Sequence, residues 1–396
     1  MLTLTYQYKL VPTAAQVAAI ERMLDVCRSV WNDALRERKD WLKSRQCRID
    51  ACSLRGEYIV PADAPFPGLS HQQAQLAQAR KTDPRLHWAN AQVLQQTLRQ
   101  LDRAFTDMRR RGFGFPRFKK RLRSFVFPQF KECPLQGNRI KLPKLGWVRL
   151  RLSRPVPEPF AIKQVRVIRK PSGYYVNLSL QAEVDVPEPQ PSGQPLGIDL
   201  GLDCFLATSD GELIDRPRFL VRHQRKLKLL QRRLRNKRVG SSNWRKLQHR
   251  IARLHERVED ARRDWHYKLA HHLCDRAGMV FVEDLDFTQW AKGMLGKHTL
   301  DAGFGQFCEI LRWVAWKRGR YFARVDPSGT SRTCPECGAN TGAKSLSQRQ
   351  HDCPECGYTT HRDVAAAQVI STRGQRGMEI ARGGDVPGRL RALGGT

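Results

Sequence analysis

The chain contains no apolar stretch approaching the roughly 18 uninterrupted residues of a membrane span, which excludes a helical integral membrane protein. It also lacks the charged-then-apolar order of a signal peptide, since Met1-Leu2-Thr3-Leu4-Thr5-Tyr6-Gln7-Tyr8-Lys9 alternates as a strand does. A soluble, cytoplasmic protein is therefore expected. Cysteine spacing of the disulfide kind is missing too. Seven of the 11 cysteines (Cys27, Cys47, Cys52, Cys133, Cys204, Cys274, Cys308) are scattered, as buried thiols are in a reducing compartment. Acidic residues are scarce beside basic ones, 38 Asp and Glu against 70 Lys and Arg, for a net charge of +32. A polyanion is the implied partner, nucleic acid first and an acidic membrane surface second. A heteroduplex of about 20 base pairs carries about 40 phosphates, a charge of similar size. With 396 residues the chain is long enough for two or three domains and for a core that needs no staple.

Thr13-Ala14-Ala15-Gln16 has capping-box spacing, so a helix is expected after Pro12, with Val17, Ile20, Leu24, Cys27, Trp31 and Leu35 on one face. An irregular, proline-bearing stretch follows from about Cys52 to Ser70. A second helix is marked by Leu94, Leu98, Leu101, Phe105 and Met108, whose steps of four and three form one stripe. Beyond it Arg109-Arg110-Arg111-Gly112-Phe113-Gly114-Phe115-Pro116-Arg117-Phe118-Lys119-Lys120 interleaves bases with aromatics. Such a segment can neutralise phosphates and stack on bases, or it can be a basic linker with its aromatics docked inward. Strand alternation then appears at 124–127, 148–152 and 174–180, with arginines on one face, as in a half-buried antiparallel sheet or barrel. The proline run from Val186 to Pro195 continues neither strand nor helix and marks a domain boundary. Two helical patterns, Phe219 to Arg238 and Asn243 to Ala277, form a basic hairpin across Gly240-Ser241-Ser242. Another amphipathic helix through Phe304, Phe307, Leu311 and Ala315 leads to the strand Tyr321–Val325. Alternating strands and helices imply an α/β layer structure. From Ser371 onward the chain is rich in Gly and Arg and reads as a mobile tail.

Three short acidic stretches stand out against this pattern. In Gly197-Ile198-Asp199-Leu200-Gly201, Ile198 and Leu200 face one side of a strand and Asp199 the other. Met279-Val280-Phe281-Val282-Glu283 reads as a buried parallel strand that ends in acid, a costly place for a carboxylate without a neutralising partner. Asp363 opens the helical pattern Val364 to Ile370, where the first turn favours an anion. Taken singly, each acid reads as a surface residue or half of an ion pair. Taken together, three carboxylates can hold two divalent ions about 3.5–4 Å apart and serve phosphodiester hydrolysis, and hard Mg²⁺ suits carboxylate oxygens.

Cys334-Pro335-Glu336-Cys337 and Cys353-Pro354-Glu355-Cys356 are close enough in sequence for one four-thiolate site. Tetrahedral Zn²⁺ fits that spacing, and Gly338 and Gly357 permit the tight turns. With four protein ligands the site is closed, hence structural. Arg332, Lys344 and Arg349 around it read as nucleic-acid contacts or as solubilising charge.

The chain resembles the TnpB (OrfB) family of transposon-associated, RNA-guided nucleases, relatives of compact type V CRISPR effectors. The resemblance rests on Tyr8-Lys9-Leu10-Val11-Pro12, Gly114-Phe115-Pro116-Arg117-Phe118-Lys119, Gly197-Ile198-Asp199-Leu200-Gly201, Val282-Glu283-Asp284-Leu285, Thr330-Ser331-Arg332-Thr333-Cys334 and Arg362-Asp363-Val364, in this order and spacing. It implies α/β, all-β and helical parts: an RNase H-like (RuvC) nuclease domain with an inserted zinc ribbon, preceded by a wedge-type β-barrel that carries a helical recognition domain. The implied boundaries are 1–10 and 113–188 for the barrel, 11–112 for the helical domain and 189–195 for the linker. The nuclease domain takes 196–330 and 360–372, the ribbon 331–359 and a flexible tail 373–396.

The resemblance assigns catalysis and two Mg²⁺ ions to Asp199, Glu283 and Asp363, and a structural Zn²⁺ to Cys334, Cys337, Cys353 and Cys356. Arg109, Arg110, Arg111, Phe115, Arg117, Phe118, Lys119 and Lys120 are the candidate nucleic-acid contacts. The expected partners are a guide RNA and double- and single-stranded DNA, with no membrane. The expected reaction is RNA-guided cleavage of DNA beside a short adjacent motif. The alternatives are a guided DNA-binding repressor and an RNA-independent transposition-associated DNA-binding protein. The sequence departs from the family pattern at His361, where the family often has Asp, and at Ala365, where it often has Asn.

Overall fold

A computed structural model describes residues 1–46, 60–61, 63–130, 132–345 and 347–383. Cys47, Cys52 and the part of the proline-bearing stretch at 52–59 and 62 lie outside them. The chain divides into two compact units, Met1–Val186 and Pro187–Thr396. Among the described residues no helix is long and apolar enough to cross a membrane.

In the first unit, β1 (Leu2–Val11) leads to α1 (Ala14–Ser44). The capping box forms as the spacing requires: Gln16 N donates to Thr13 Oγ1 at 3.3 Å, and Thr13 N donates to Gln16 Oε1 at 3.0 Å. Next come α2 (Leu69–Thr82) and α3 (Ala91–Arg111). Helix α3 buries Leu94, Leu98, Leu101 and Phe105 as one stripe and ends on left-handed Gly112. Helix α2 has no legible stripe because it buries only Gln72 and Leu76, and the periodicity argument passes over it.

The strands that follow are β2 (Ser124–Phe127), β3 (Leu135–Gln136), β4 (Arg139–Leu142), β5 (Gly146–Arg151), β6 (Ala161–Lys170) and β7 (Gly173–Ala182). With β1 they form a seven-stranded sheet in the order β2-β6-β7-β1-β5-β4-β3, antiparallel throughout. Short β2 and β3 are its two edges, so the ladder is an open half-barrel, within the expectation of a half-buried antiparallel sheet or barrel.

The second unit holds β8 (Pro195–Leu200), β9 (Cys204–Thr208), β10 (Leu213–Asp215), β11 (Met279–Glu283) and β12 (Tyr321–Val325), ordered β10-β9-β8-β11-β12. Strands β8, β11 and β12 run parallel, and β9 and β10 are antiparallel additions. Between β10 and β11 run α4 (Gln224–Arg235) and α5 (Ser242–Arg276), which pack through Leu227, Leu230 and Leu234 against Leu247, Ile251 and Leu254. Short α6 (Phe287–Trp290) and α7 (Gly296–Ala302) precede α8 (Phe304–Lys317).

Leu196, Ile198 and Leu200 of β8 and Val280 and Val282 of β11 share one core with Leu269 and Leu273 of α5 and Phe304, Phe307 and Leu311 of α8. That core covers one face of the sheet. The opposite face is covered by α9 (Arg362–Gly383), which follows the hairpin of β13 (Gln350–Asp352) and β14 (Thr359–His361). Helix α9 continues well past Ser371, correcting the tail expected from residue 371 and the tail boundary at 373. Ser371 is buried and Gly374 lies against Phe281, so this Gly- and Arg-containing segment does find a surface to cover.

Candidate active site

Strand alternation decides which acids meet. With Leu196, Ile198 and Leu200 turned to the α5/α8 core, Gly197 and Asp199 face α9. By the same period Phe281 and Glu283 face α9 from the neighbouring strand. The parallel register pairs Ile198 with Val282, which sets Asp199 beside Glu283 at the carboxyl ends of adjacent strands.

Gly197 explains how the third acid arrives. A Cβ at this position would lie 1.9 Å from the Ala367 carbonyl oxygen and 2.6 Å from Ser371 N, so helix and strand backbones are in direct contact there. Asp363 precedes Ala367 by one helical turn, about 6 Å of rise. Asp199 follows Gly197 by two strand residues, about 6.6 Å. Helix and strand run in opposite senses, so Asp363 stands at the Asp199 end of the contact, and its charge acts on Asp199.

The electrostatics match this geometry. The Asp199 carboxyl is held well above the usual carboxylate range, first by burial, then by the charges of Glu283 and Asp363. The Arg362 guanidinium and a backbone hydrogen bond at Leu200 offset this in part. Burial also raises Glu283, against the Thr330 hydroxyl that donates to its Oε1 and the nearby charge of Arg373. Among the described residues no Lys or Arg forms a salt bridge with any of the three acids. Asp284, next in sequence to Glu283, instead pairs with Arg324 at 3.0 Å. The charges of Glu283 and Asp363 reach Asp199 and no salt bridge ties up any of the three acids, whose oxygen donors are of the kind that suits a hard cation, although they are not drawn together within 4.8 Å as the cysteine sulfurs are.

Two neighbours escaped sequence reasoning. The Cys204 thiol donates to Asp363 Oδ2 at 3.5 Å and is pushed up to about 12 by burial and by the Asp363 charge. Its place in β9, beside β8, is the only sequence signal. Thr330, buried beside Glu283, was visible only as part of a motif. His361, where the family pattern differs, accepts the Asp363 backbone N–H on Nδ1 at 3.3 Å and so supports the helix start. Ala365 is buried.

The sulfurs of Cys334, Cys337, Cys353 and Cys356 all lie within 4.8 Å of one another. Two of the pairs, Cys334–Cys356 and Cys337–Cys353, stand at 3.7 and 3.6 Å. Zn–S bonds of about 2.3 Å place tetrahedral sulfurs about 3.8 Å apart, so the cluster fits zinc. It is the one such cluster among the described residues. Lys344 and Arg349 have structural partners here: Lys344 Nζ donates to Ser331 O at 3.1 Å, and Arg349 pairs with Asp203 at 3.2 Å.

In the first unit, the basic and aromatic segment after α3 is anchored by α1. Asn32 accepts from Lys119 N at 2.7 Å and donates to Lys119 O at 3.0 Å, while Trp31 Nε1 donates to Arg117 O at 3.2 Å. Phe115 packs edge-on against Phe105, Lys39 lies over Phe118 and Lys119 over Trp31. Phe113, Phe115 and Phe118 nevertheless remain 58%, 42% and 43% exposed. Arg109, Arg110, Arg111, Arg117 and Lys120 are exposed as well. The segment is thus pinned by its backbone while rings and charges remain exposed.

Fold and site define a strongly basic chain in which a four-thiolate knuckle stands next to a group of buried and half-buried acids that have no salt-bridge partner among the described residues. The OrfB family model, described as "Probable transposase", matches residues 179–293. A model described as "Cas12f1-like, TNB domain" matches 304–370, and one for a helix-turn-helix domain matches 1–47, where the structure has β1 and one unbroken helix through Ser44. A protein of Escherichia coli (strain K12) named "Putative RNA-guided DNA endonuclease InsQ" is 30% identical over 387 residues, covering 93% of this chain and 92% of its own length. A "Putative RNA-guided DNA endonuclease" of Streptomyces pristinaespiralis is 29% identical over 378 residues, covering 93% and 89%. The chain belongs to the TnpB (OrfB) family. A likeness to the structure titled "Cryo-EM structure of the Cas12f1-sgRNA-target DNA complex" covers 94% of this chain and 100% of that one at 19% identity and a TM-score of 0.36.

Proposed function

We propose that this protein is an RNA-guided DNA endonuclease whose second unit is an RNase H-like (RuvC) nuclease domain interrupted by a zinc ribbon at about 331–359. Asp199, Glu283 and Asp363 are its catalytic acids. The observation that carries this reading is their convergence from β8, β11 and α9 without a salt-bridge partner, in a chain whose curated relatives bear endonuclease names. Mg²⁺, when bound, supplies an activated water and stabilises the leaving oxygen of a phosphodiester.

The chain's own residues prepare that chemistry. Asp199 and Glu283 present oxygens from rigid neighbouring strands. Asp363 adds a third from a helix seated on them. The first unit supplies an open half-barrel and helices α1 to α3, read as wedge and recognition parts, with the pinned basic and aromatic segment placed to hold RNA or displaced DNA through phosphates and stacked bases. Guide pairing then supplies sequence choice, and the protein reads only a short adjacent motif.

The test is cleavage of a target by protein purified with its copurifying RNA. Asp199→Ala, Glu283→Ala and Asp363→Ala should each abolish cutting while guided DNA binding persists, and ribonuclease should abolish both in the wild type. Guided binding with no cutting by the wild type would instead support a repressor. Site-specific binding that survives ribonuclease would support an RNA-independent DNA-binding protein.

A further inference from the structure

The turn between β12 and the zinc knuckle performs a task that the reading above leaves unassigned. After Val325 the chain turns through Asp326-Pro327-Ser328 and left-handed Gly329 into a single 3₁₀ turn, Thr330–Arg332, two residues short of the zinc-type ligand Cys334. Thr330 is buried, and its hydroxyl is oriented between Glu283 Oε1 and the Pro327 carbonyl, 3.2 Å away. A hydroxyl has one proton, and the closer partner is the carboxylate. Occupying Oε1 in this way leaves the other Glu283 oxygen for the pocket.

The turn is gripped from two sides. From the knuckle, Thr341 donates to Arg332 O through both its backbone N (2.7 Å) and its Oγ1 (3.0 Å), and Lys344 donates to Ser331 O. From α9, Arg373 donates to the carbonyls of Asp326 (3.1 Å) and Ser328 (2.6 Å). The far side of the knuckle is tied to the third acid: Arg362, adjacent to Asp363, donates through its backbone N to Arg349 O and through Nη1 to Ser345 O. The knuckle therefore bridges the supports of two acids that lie 80 residues apart in sequence.

We infer that Thr330 is the positioning residue of Glu283, and that the four-cysteine knuckle, by clamping the turn that bears Thr330, sets the affinity of the acid pocket for divalent cations. The inference rests on the pocket being a metal site. Residues that orient a metal ligand typically cost 10–100-fold in affinity or activity when removed, and that is the range expected here.

The experiment is Mn²⁺ binding to the full-length chain, read by titration calorimetry and by the electron spin resonance of free Mn²⁺, for wild type, T330V, T330S, K344M and D199A. T330V keeps the shape and loses the hydroxyl. It should bind Mn²⁺ 10–100-fold more weakly with its thermal midpoint little changed, and T330S should recover most of the loss. K344M, which touches neither acid nor cysteine, should weaken binding in the same direction by a smaller factor, and it stands in for T330V should that variant misfold. Wild-type Mn²⁺ affinity in T330V, or in K344M where T330V misfolds, while D199A loses binding, overturns the role of Thr330 and leaves the nuclease reading standing. Wild-type affinity in D199A overturns the metal-pocket reading, and the role of Thr330 falls with it.

Discussion

Replacing Gly197 by alanine is the sharpest single perturbation of the acid pocket, although it alters no charge and no ligand. The new Cβ would sit 1.9 Å from Ala367 O and 2.6 Å from Ser371 N, both backbone atoms that no rotamer change can move aside. Contacts below 3.0 Å are essentially never seen for real Cβ atoms, so α9 must retreat from β8 by about 1 Å. Asp363 rides on that helix one turn from Ala367, and a displacement of about 1 Å at a reacting constellation costs on the order of 100-fold in rate. Overpacking adds a stability cost of about 1–3 kcal/mol.

Gly377 of the same helix is the control, because a Cβ there meets nothing within 4 Å. Gly377→Ala should stabilise α9 by about 0.5–1 kcal/mol through helix propensity and leave the rate alone. Gly374→Ala is intermediate, since its Cβ meets the Phe281 ring, at 2.2 Å, and a ring yields more readily than backbone. Cleavage rates at saturating metal, with urea unfolding of each variant, measure the series. Wild-type cutting and stability in Gly197→Ala would refute the contact between helix and strand, and with it the route by which Asp363 reaches the pocket.

Two further outcomes follow from the same physics. Asp199 and Glu283 have folded pKa values raised above their unfolded ones, so their unfavourable contribution grows as pH climbs from about 4, where ordinary carboxyls ionise, through the raised folded values. Asp199→Asn should therefore be more stable than wild type at pH 7 in chelator, with the gap closing at low pH and shrinking when Mg²⁺ is added; urea midpoints that show no gap at pH 7 would count against it. On the first unit, replacing Arg109, Arg110 and Arg111 together by alanine should flatten the slope of log affinity against log salt by about 2–3 if each meets a phosphate, whereas Phe115→Ala and Phe118→Ala should each cost about 1–3 kcal/mol in single-strand binding without changing the slope. Equal slopes for wild type and the triple variant in a filter-binding series would remove the arginines from the interface.

What the sequence shows of this fold depends on the range of the interaction that decides each feature. The capping box at Thr13, the stripe from Leu94 to Phe105 and the facing of Asp199 away from Ile198 and Leu200 are settled within a few residues, and a period of 3.6 or 2 exposes them. Helix α2 buries too little to leave a periodic trace. The extension of α9 past Ser371 depends on Phe281, some 90 residues earlier, so composition alone misjudges it. Cys204 and Thr330 are equally remote from the acids they touch, 159 and 47 residues away. Only the completed packing brings them there.

Gly197 reads differently once that packing is known. In the sequence it is simply the first residue of the Gly197-Ile198-Asp199-Leu200-Gly201 stretch. In the fold the space above it is taken by α9, whose Ala367 and Ser371 backbone lies directly against it. The absent Cβ lets a helix approach closely enough to bring the Asp363 charge to bear on Asp199. The Asp199 carboxyl is raised first by its burial and then by Glu283 from the neighbouring strand, and the close helix adds the Asp363 charge to these, so a helix held farther out would relieve that last contribution.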